Sequence, residues 1–118
     1  MKAKTASAFM TLVLVSLAAC ADSGSTDGLA GSELFVEIGC QACHGEADSD
    51  VAPTLNEIWG TDAVLEDGRT VTVDEAYVTR SIEDPGADVV AGYSGRMPQF
   101  GLSESEVDRL VDYVRSLG

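Results

Sequence analysis

The pentapeptide Cys40-Gln41-Ala42-Cys43-His44 constrains this chain more than any other feature. Two thiols three residues apart, followed at once by an imidazole, form the CxxCH pattern of c-type haem attachment. Each thiol can add across one haem vinyl group, and the next residue is then placed beneath the iron with a ring nitrogen to offer it. A CxxC pair has two other readings: a redox disulfide, or half of a zinc site. A zinc site would need all 3 Cys and the 1 His of the chain, and Cys20, twenty positions before the pair, has a separate reading below. A redox pair of the thioredoxin kind expects a βαβ setting, and the flanking pattern does not supply one. The chain is therefore expected to wrap a large flat cofactor, one covalent haem c.

His44 would supply one axial ligand to the iron. Once an N-terminal leader is removed, Met97 is the one methionine left, since Met1 and Met10 go with the leader, and no second His or Lys remains. Met97 stands in Gly92-Tyr93-Ser94-Gly95-Arg96-Met97-Pro98, where glycines permit close backbone approach and the proline stiffens the segment after the thioether. A lone Met before Pro is otherwise ordinary core filling. Its place between the haem motif and an amphipathic C-terminal segment points to ligation. A His/Met pair raises the potential and fills both axial positions, so the iron is expected to carry electrons and to bind no small-molecule substrate. Pro53, nine residues after His44, is placed to offer its carbonyl to the imidazole N–H, the contact that fixes ring orientation; a plain loop proline is the alternative. Trp59, Tyr77 and Arg80 are candidate donors to the haem propionates, set against core packing for the aromatics and pairing with a carboxylate such as Glu83 for the arginine. The acids Glu46, Asp48 and Asp50 read as a solvated loop.

The ends of the chain carry a different message. Lys2 and Lys4 precede an uncharged apolar run from Ala6 to Leu17, the pattern of an export signal. That run is shorter than the roughly 20 residues a membrane-spanning helix needs. Leu17-Ala18-Ala19-Cys20 resembles the lipobox of bacterial lipoproteins, in which the cysteine is acylated and becomes the new N-terminus. Ordinary cleavage near Ala19 or Ala21, leaving Cys20 a free thiol, is the alternative. The expected organisation is a signal at 1–19, lipidated Cys20 with a Gly/Ser/Asp-rich tether to residue 31, and one domain at 32–118. Such a tether spans about 17–20 Å. The formal charge of the whole chain is −13. Loss of the leader removes both lysines and no carboxylate, leaving five arginines against 20 acids. That balance repels phosphate backbones, so nucleic acid is not an expected partner. It suits a basic partner or a saline medium.

At 118 residues there is room for a single domain. Ser32 is placed to cap a helix with Leu34, Phe35 and Ile38 on one face and Gly39 at its end. A short apolar helix is expected at Leu55–Trp59, closed by Gly60. Alternation over Val64–Val73 around Glu66-Asp67-Gly68-Arg69 predicts a β-hairpin. Asp74 can cap a helix burying Ala76, Tyr77, Val78 and Ile82 and stopping before Asp84-Pro85-Gly86. In the last helix Ser103 and Glu106 make a capping box, Leu102 and Val107 a hydrophobic staple, and Val107, Leu110, Val111, Val114 and Leu117 the buried stripe. The fold class is all-α, with three main helices.

Taken together, Glu33–Gly118 resembles a class I cytochrome c, with N-terminal helix, CxxCH, the APTL stretch Ala52–Leu55, Met-Pro loop and C-terminal helix in order. The stretch LEDGRTVTVDEAYVTRSIEDPGADVVAGY, followed by MPQF, is similar to the cytochrome c domain at the C-terminus of subunit II in some bacterial cytochrome c oxidases. The resemblance implies three helices around a covalent haem, a small hairpin insertion, and single-electron transfer in a respiratory chain on the outer side of the cytoplasm. No copper-binding domain precedes this one in the sequence, so the implied partners are separate redox proteins: a respiratory complex as donor and a terminal oxidase as acceptor. An accessory haem subunit of a dehydrogenase or oxidase complex, and a haem sensor or peroxidase with an open iron site, are the competing expectations.

Overall fold

The computed structural model describes residues 26–118. The expected signal, Cys20 and the first part of the tether lie outside the described residues. Three helices, α1 (Gly31–Ile38), α2 (Glu75–Glu83) and α3 (Glu104–Ser116), pack around a small core, and an antiparallel pair, β1 (Asp62–Val64) and β2 (Thr70–Thr72), is inserted before α2. Among the described helices none is long and apolar enough to cross a membrane.

Helix α1 begins one residue before Ser32, and Ser32 is not its cap. The Glu33 carboxylate accepts from the Ala30 N–H at 3.0 Å, the work that a cap side chain would otherwise do. Gly31 explains the shift. A Cβ there would stand 2.2 Å from the Arg109 carbonyl oxygen and 2.9 Å from Tyr113 Cβ, so this glycine lets α1 start directly against the backbone of α3. The contact continues through Leu34 and Phe35, both buried with Leu110, and through the Phe35 and Tyr113 rings with centroids 5.2 Å apart. Gly39, at φ 88°, ends α1 in the left-handed conformation that glycine adopts without penalty.

Residues 26–30, expected as part of a loose tether, are docked. Thr26 Oγ1 donates to Glu106, Arg109 Nη1 donates to the Thr26 carbonyl at 3.2 Å and also to that of Leu29, and Leu29 packs on the α1–α3 cluster. Glu106 is the N3 residue of α3. Its carboxylate also accepts from the Ser103 N–H and hydroxyl, each at 2.8 Å, completing the capping box. Three donors, Thr26 foremost, hold the Glu106 carboxyl down at about 2.

The second half of the core lies between α2, α3 and the hairpin, where Leu65, Val73, Tyr77, Val78, Val107, Val111 and Val114 are buried together. Asp74 caps α2 by accepting from the Tyr77 N–H at 2.8 Å. Ala76 is exposed, because the α2 stripe is narrower than its apolar run. The Leu55–Trp59 helix is absent. The Glu57 and Trp59 N–H groups donate to the Leu117 and Gly118 carbonyls, each at 3.1 Å, and Glu57 adopts φ 57°. Donors committed to the end of α3 cannot build a helix of their own. The hairpin pairs Asp62 with Thr72, Ala63 with Val71 and Val64 with Thr70. Its turn is held from outside by Asp88, whose carboxylate is 3% exposed and takes Arg80 Nε and, at 2.8 Å, Arg69 Nη2.

Candidate haem site

Helix α1 ends at Gly39, and the chain makes one 3-10 turn, Cys40–Ala42, with the Cys43 and His44 N–H groups both donating to the Cys40 carbonyl at 3.2 and 2.9 Å. The two thiols and the imidazole thus sit on one turn anchored to the end of a helix packed on α3. Both cysteines are free: Cys40 packs on the α1–α3 cluster, and Cys43 is exposed. Burial pushes the Cys40 thiol up, away from the thiolate character that a redox-active CxxC pair needs. Among the described residues no group of three or more His, Cys, Asp or Glu is placed to hold a metal ion.

His44 is half-buried, and its Nδ1 lies 2.8 Å from the Pro53 carbonyl oxygen. A carbonyl can only accept, so Nδ1 carries the proton and Nε2 is left as the lone-pair nitrogen. This is the ring orientation that a metal-ligating histidine requires. Pro53 itself belongs to a rigid turn. Ser49 Oγ accepts from the Val51 and Ala52 N–H groups at 3.2 and 3.3 Å and donates to the Ala52 carbonyl at 3.2 Å. Thr54 and Asn56 tie the other limb to the Gly45 and Glu46 carbonyls.

The methionine loop returns to that same turn. The Ser94 N–H donates to the Asp50 carbonyl at 2.8 Å and the Gly95 N–H to that of Val51 at 3.0 Å, three and two residues before Met97. Arg96 reaches Glu66 at 2.8 Å, and Gln99 Nε2 donates to the Glu83 carbonyl at 2.9 Å, so the segment is also held to the hairpin turn and to α2. Met97 is half-buried. Burial, with Asp48 beside it, pushes the Tyr93 phenol up.

The three expected propionate donors lie among protein groups. Arg80 pairs with Asp88, not with Glu83. It is also the only expected site residue lining an open groove of about 640 Å³ beside α2. Tyr77 is 8% exposed in the core, and its burial pushes the phenol up. Trp59 packs on the core with the Arg115 guanidinium 4.8 Å above its ring. Sequence reading did not single out the Asp50–Val51 and Ser94–Gly95 contacts. They are made by main-chain atoms, which side-chain patterns do not register, and Gly95 was their one visible sign. Asp88 was missed likewise, as one acid among many.

These residues fit a haem. The thiols are free and share one turn, Nε2 is the nitrogen left to a metal, and a thioether stands on the loop tied to the Asp50–Pro53 segment that orients the imidazole. Ile38, Leu55, Ile82 and Leu102, half-buried on the α1–α3 cluster where Cys40 also packs, form an apolar margin suited to a flat macrocycle.

Helices, hairpin and site together define a class I cytochrome c fold. The family model for cytochrome c matches residues 29–118, and the chain belongs to that family. Cytochrome cH from Methylobacterium extorquens is similar in structure, with a TM-score of 0.53 and 23% identity over 73% of this chain and 94% of that one. No curated protein matches the sequence. Family membership makes the protein a mono-haem electron carrier, not an enzyme, with haem c bound covalently; Cys40 and Cys43 fit its attachment motif.

Proposed function

We propose that the protein is a membrane-tethered cytochrome of the bacterial cell envelope that passes single electrons between respiratory proteins, with a terminal oxidase as acceptor. In this reading Cys40 and Cys43 would hold the haem covalently, and His44 Nε2 and Met97 Sδ would be the groups that bind its iron. The haem supplies a one-electron couple; the chain supplies the ligands, their orientation and the exclusion of water. The observation that carries the axial assignment is the 2.8 Å contact of His44 Nδ1 with the Pro53 carbonyl. With that proton placed, the imidazole has one nitrogen for iron and little freedom to rotate. Pro53 is thus a positioning residue acting through its main chain. Trp59, Tyr77 and Arg80 are kept as candidate propionate donors, with Arg80 Nε already given to Asp88.

Two features of the sequence support the cellular assignment. The basic and apolar leader leads into Leu17-Ala18-Ala19-Cys20, and the LEDGRTVTVDEAYVTRSIEDPGADVVAGY stretch is similar to an oxidase-fused domain. Labelling with a radioactive fatty acid should mark the wild type and not Cys20→Ser. For the iron, a c-type pyridine haemochrome together with a Met-to-iron charge-transfer band lost in Met97→Ala is the expected result. A native ferrous protein that binds carbon monoxide readily, with no such band, would overturn the axial pair and favour an open-site sensor or peroxidase.

A further inference from the structure

We infer that the paired main-chain contacts between Asp50–Val51 and Ser94–Gly95 form a clasp that positions Met97 and couples its loop to the one orienting His44. The inference rests on the axial pair proposed above and goes beyond it, because it names what holds the methionine in place. The clasp has three hydrogen bonds. Ser94 N–H and Oγ both donate to the Asp50 carbonyl, at 2.8 and 2.9 Å, and Gly95 N–H donates to the Val51 carbonyl at 3.0 Å. Two residues beyond Val51, the Pro53 carbonyl accepts the hydrogen bond from His44 Nδ1–H. Ser49 binds residues 51 and 52 between these points, so Asp50–Pro53 is one stiff piece with the methionine loop on one side and the imidazole on the other. Gly95 stands only two positions from Met97. An opened clasp frees the thioether; a closed one confines it.

Gly95 is what permits the approach. A Cβ at this position would lie 2.4 Å from the Val51 carbonyl oxygen and 2.8 Å from Val51 Cγ1. The first of these is main chain and cannot swing aside, so any side chain at 95 must push the two segments apart and break the Gly95 bond. Arg96 and Gln99, which hold the loop to Glu66 and to the Glu83 carbonyl, keep it near the body of the protein when the clasp opens. The consequence is local: loss of a ligand without loss of the fold.

The test uses the holo protein. Wild type must first show the Met-to-iron band; if it does not, the axial assignment fails, and that result is separate from the clasp. With the band present, Gly95→Ala should lose most of it and bind carbon monoxide in the reduced state about tenfold faster or more, the scale expected when main-chain hydrogen bonds are lost. Far-ultraviolet circular dichroism should stay that of the wild type. Gly86→Ala, where an added Cβ meets nothing nearer than 3.9 Å, should keep both band and carbon monoxide rate. A folded Gly95→Ala with an unchanged band and rate would overturn the inference. A second measurement needs no variant. Displacing Met97 from the ferric wild type with cyanide should speed amide hydrogen exchange at Ser94 and Gly95 about tenfold while leaving Leu65, bonded to the Arg69 carbonyl at 2.8 Å, as it was. Equal exchange with and without cyanide would refute the coupling even where Gly95→Ala fails to fold.

Discussion

Replacing Gly31 with alanine sets two effects of opposite sign against each other, and the structure decides which wins. In a helix, alanine is favoured over glycine by at most about 1 kcal/mol, and less at the first helical position than in the interior. Against this stands a Cβ placed 2.2 Å from the Arg109 carbonyl oxygen and 2.9 Å from Tyr113 Cβ. Normal separations are above 3 Å, so α1 must move from α3 by on the order of 1 Å at its first turn. The contacts of Leu34, Phe35 and Leu110 lie directly behind that turn and would loosen with it. Forcing an extra carbon into packed surroundings costs about 1–3 kcal/mol. After the propensity gain, a net loss of about 1–2 kcal/mol remains. For a domain of this size that corresponds to a fall in Tm of roughly 4–16 °C. Thermal unfolding of the holo protein, followed by circular dichroism, gives the measurement. Ser32→Ala is the matched comparison: a Ser32 cap would make it cost about 1 kcal/mol, whereas the observed cap by Glu33 predicts a change within about 0.5 kcal/mol. A Gly31→Ala protein as stable as wild type, or more so, would refute the close approach of α1 and α3.

Other consequences can be checked with the same material. Cys40→Ala/Cys43→Ala, purified without haem, should be largely unfolded by circular dichroism, since only eleven apolar side chains among the described residues are buried; a cooperative transition matching the holo protein would contradict this. Glu106 is held at about 2 against an ordinary value of 4.5, so the stability it contributes is complete above pH 4.5 and drains away as the pH falls toward 2. Glu106→Gln should therefore lose stability at neutral pH and show a shallower decline across that window, read from Tm against pH. Asp88→Asn should cost roughly 1–3 kcal/mol, because the Arg80 and Arg69 bonds to a buried carboxylate weaken together while both arginines keep access to water. Urea unfolding gives that value, and a change below about 0.5 kcal/mol would show the bridge to be dispensable.

Much of the fold was readable because its signals are local. Gly39 as a terminator, Asp74 and Ser103 as caps, Glu106 three residues on, and the Gly68 turn between alternating strands are each set by a few neighbouring residues. The readings that missed depend on distant partners. Leu55–Trp59 has helical spacing, yet its donors go to the carbonyls at the end of α3. Ser32 is a good cap residue in isolation, but Gly31 docks on Arg109, and the helix starts two residues earlier than a Ser32 cap would set it. Thr26 and Leu29 read as tether because nothing nearby binds them; their partners, Glu106 and Arg109, stand 80 or more positions away. In the site, the pentapeptide and the single late methionine are chemically explicit, and Pro53 is visible by its spacing from His44. The clasp on Asp50–Val51 is not.

That difference bears on how a fold of this kind survives wide change in sequence. The helices are tied by side chains that must be apolar and of the right size, Leu34, Phe35, Leu110 and Val111 among them. The loops that carry His44 and Met97 are tied instead by carbonyls and N–H groups, at Pro53, Asp50, Val51, Ser94 and Gly95. Main-chain bonds are indifferent to most substitutions. On the proposed haem ligation, only residues that would supply a thiol, an imidazole or a thioether, or must have no side chain at all, are fixed by the geometry. By the same reasoning, Ser94→Ala removes one of the three clasp bonds and keeps both main-chain ones, so it should leave the charge-transfer band in place, whereas Gly95→Ala removes it. Equal loss in both variants would mean that the hydroxyl bond is needed as well as the backbone approach.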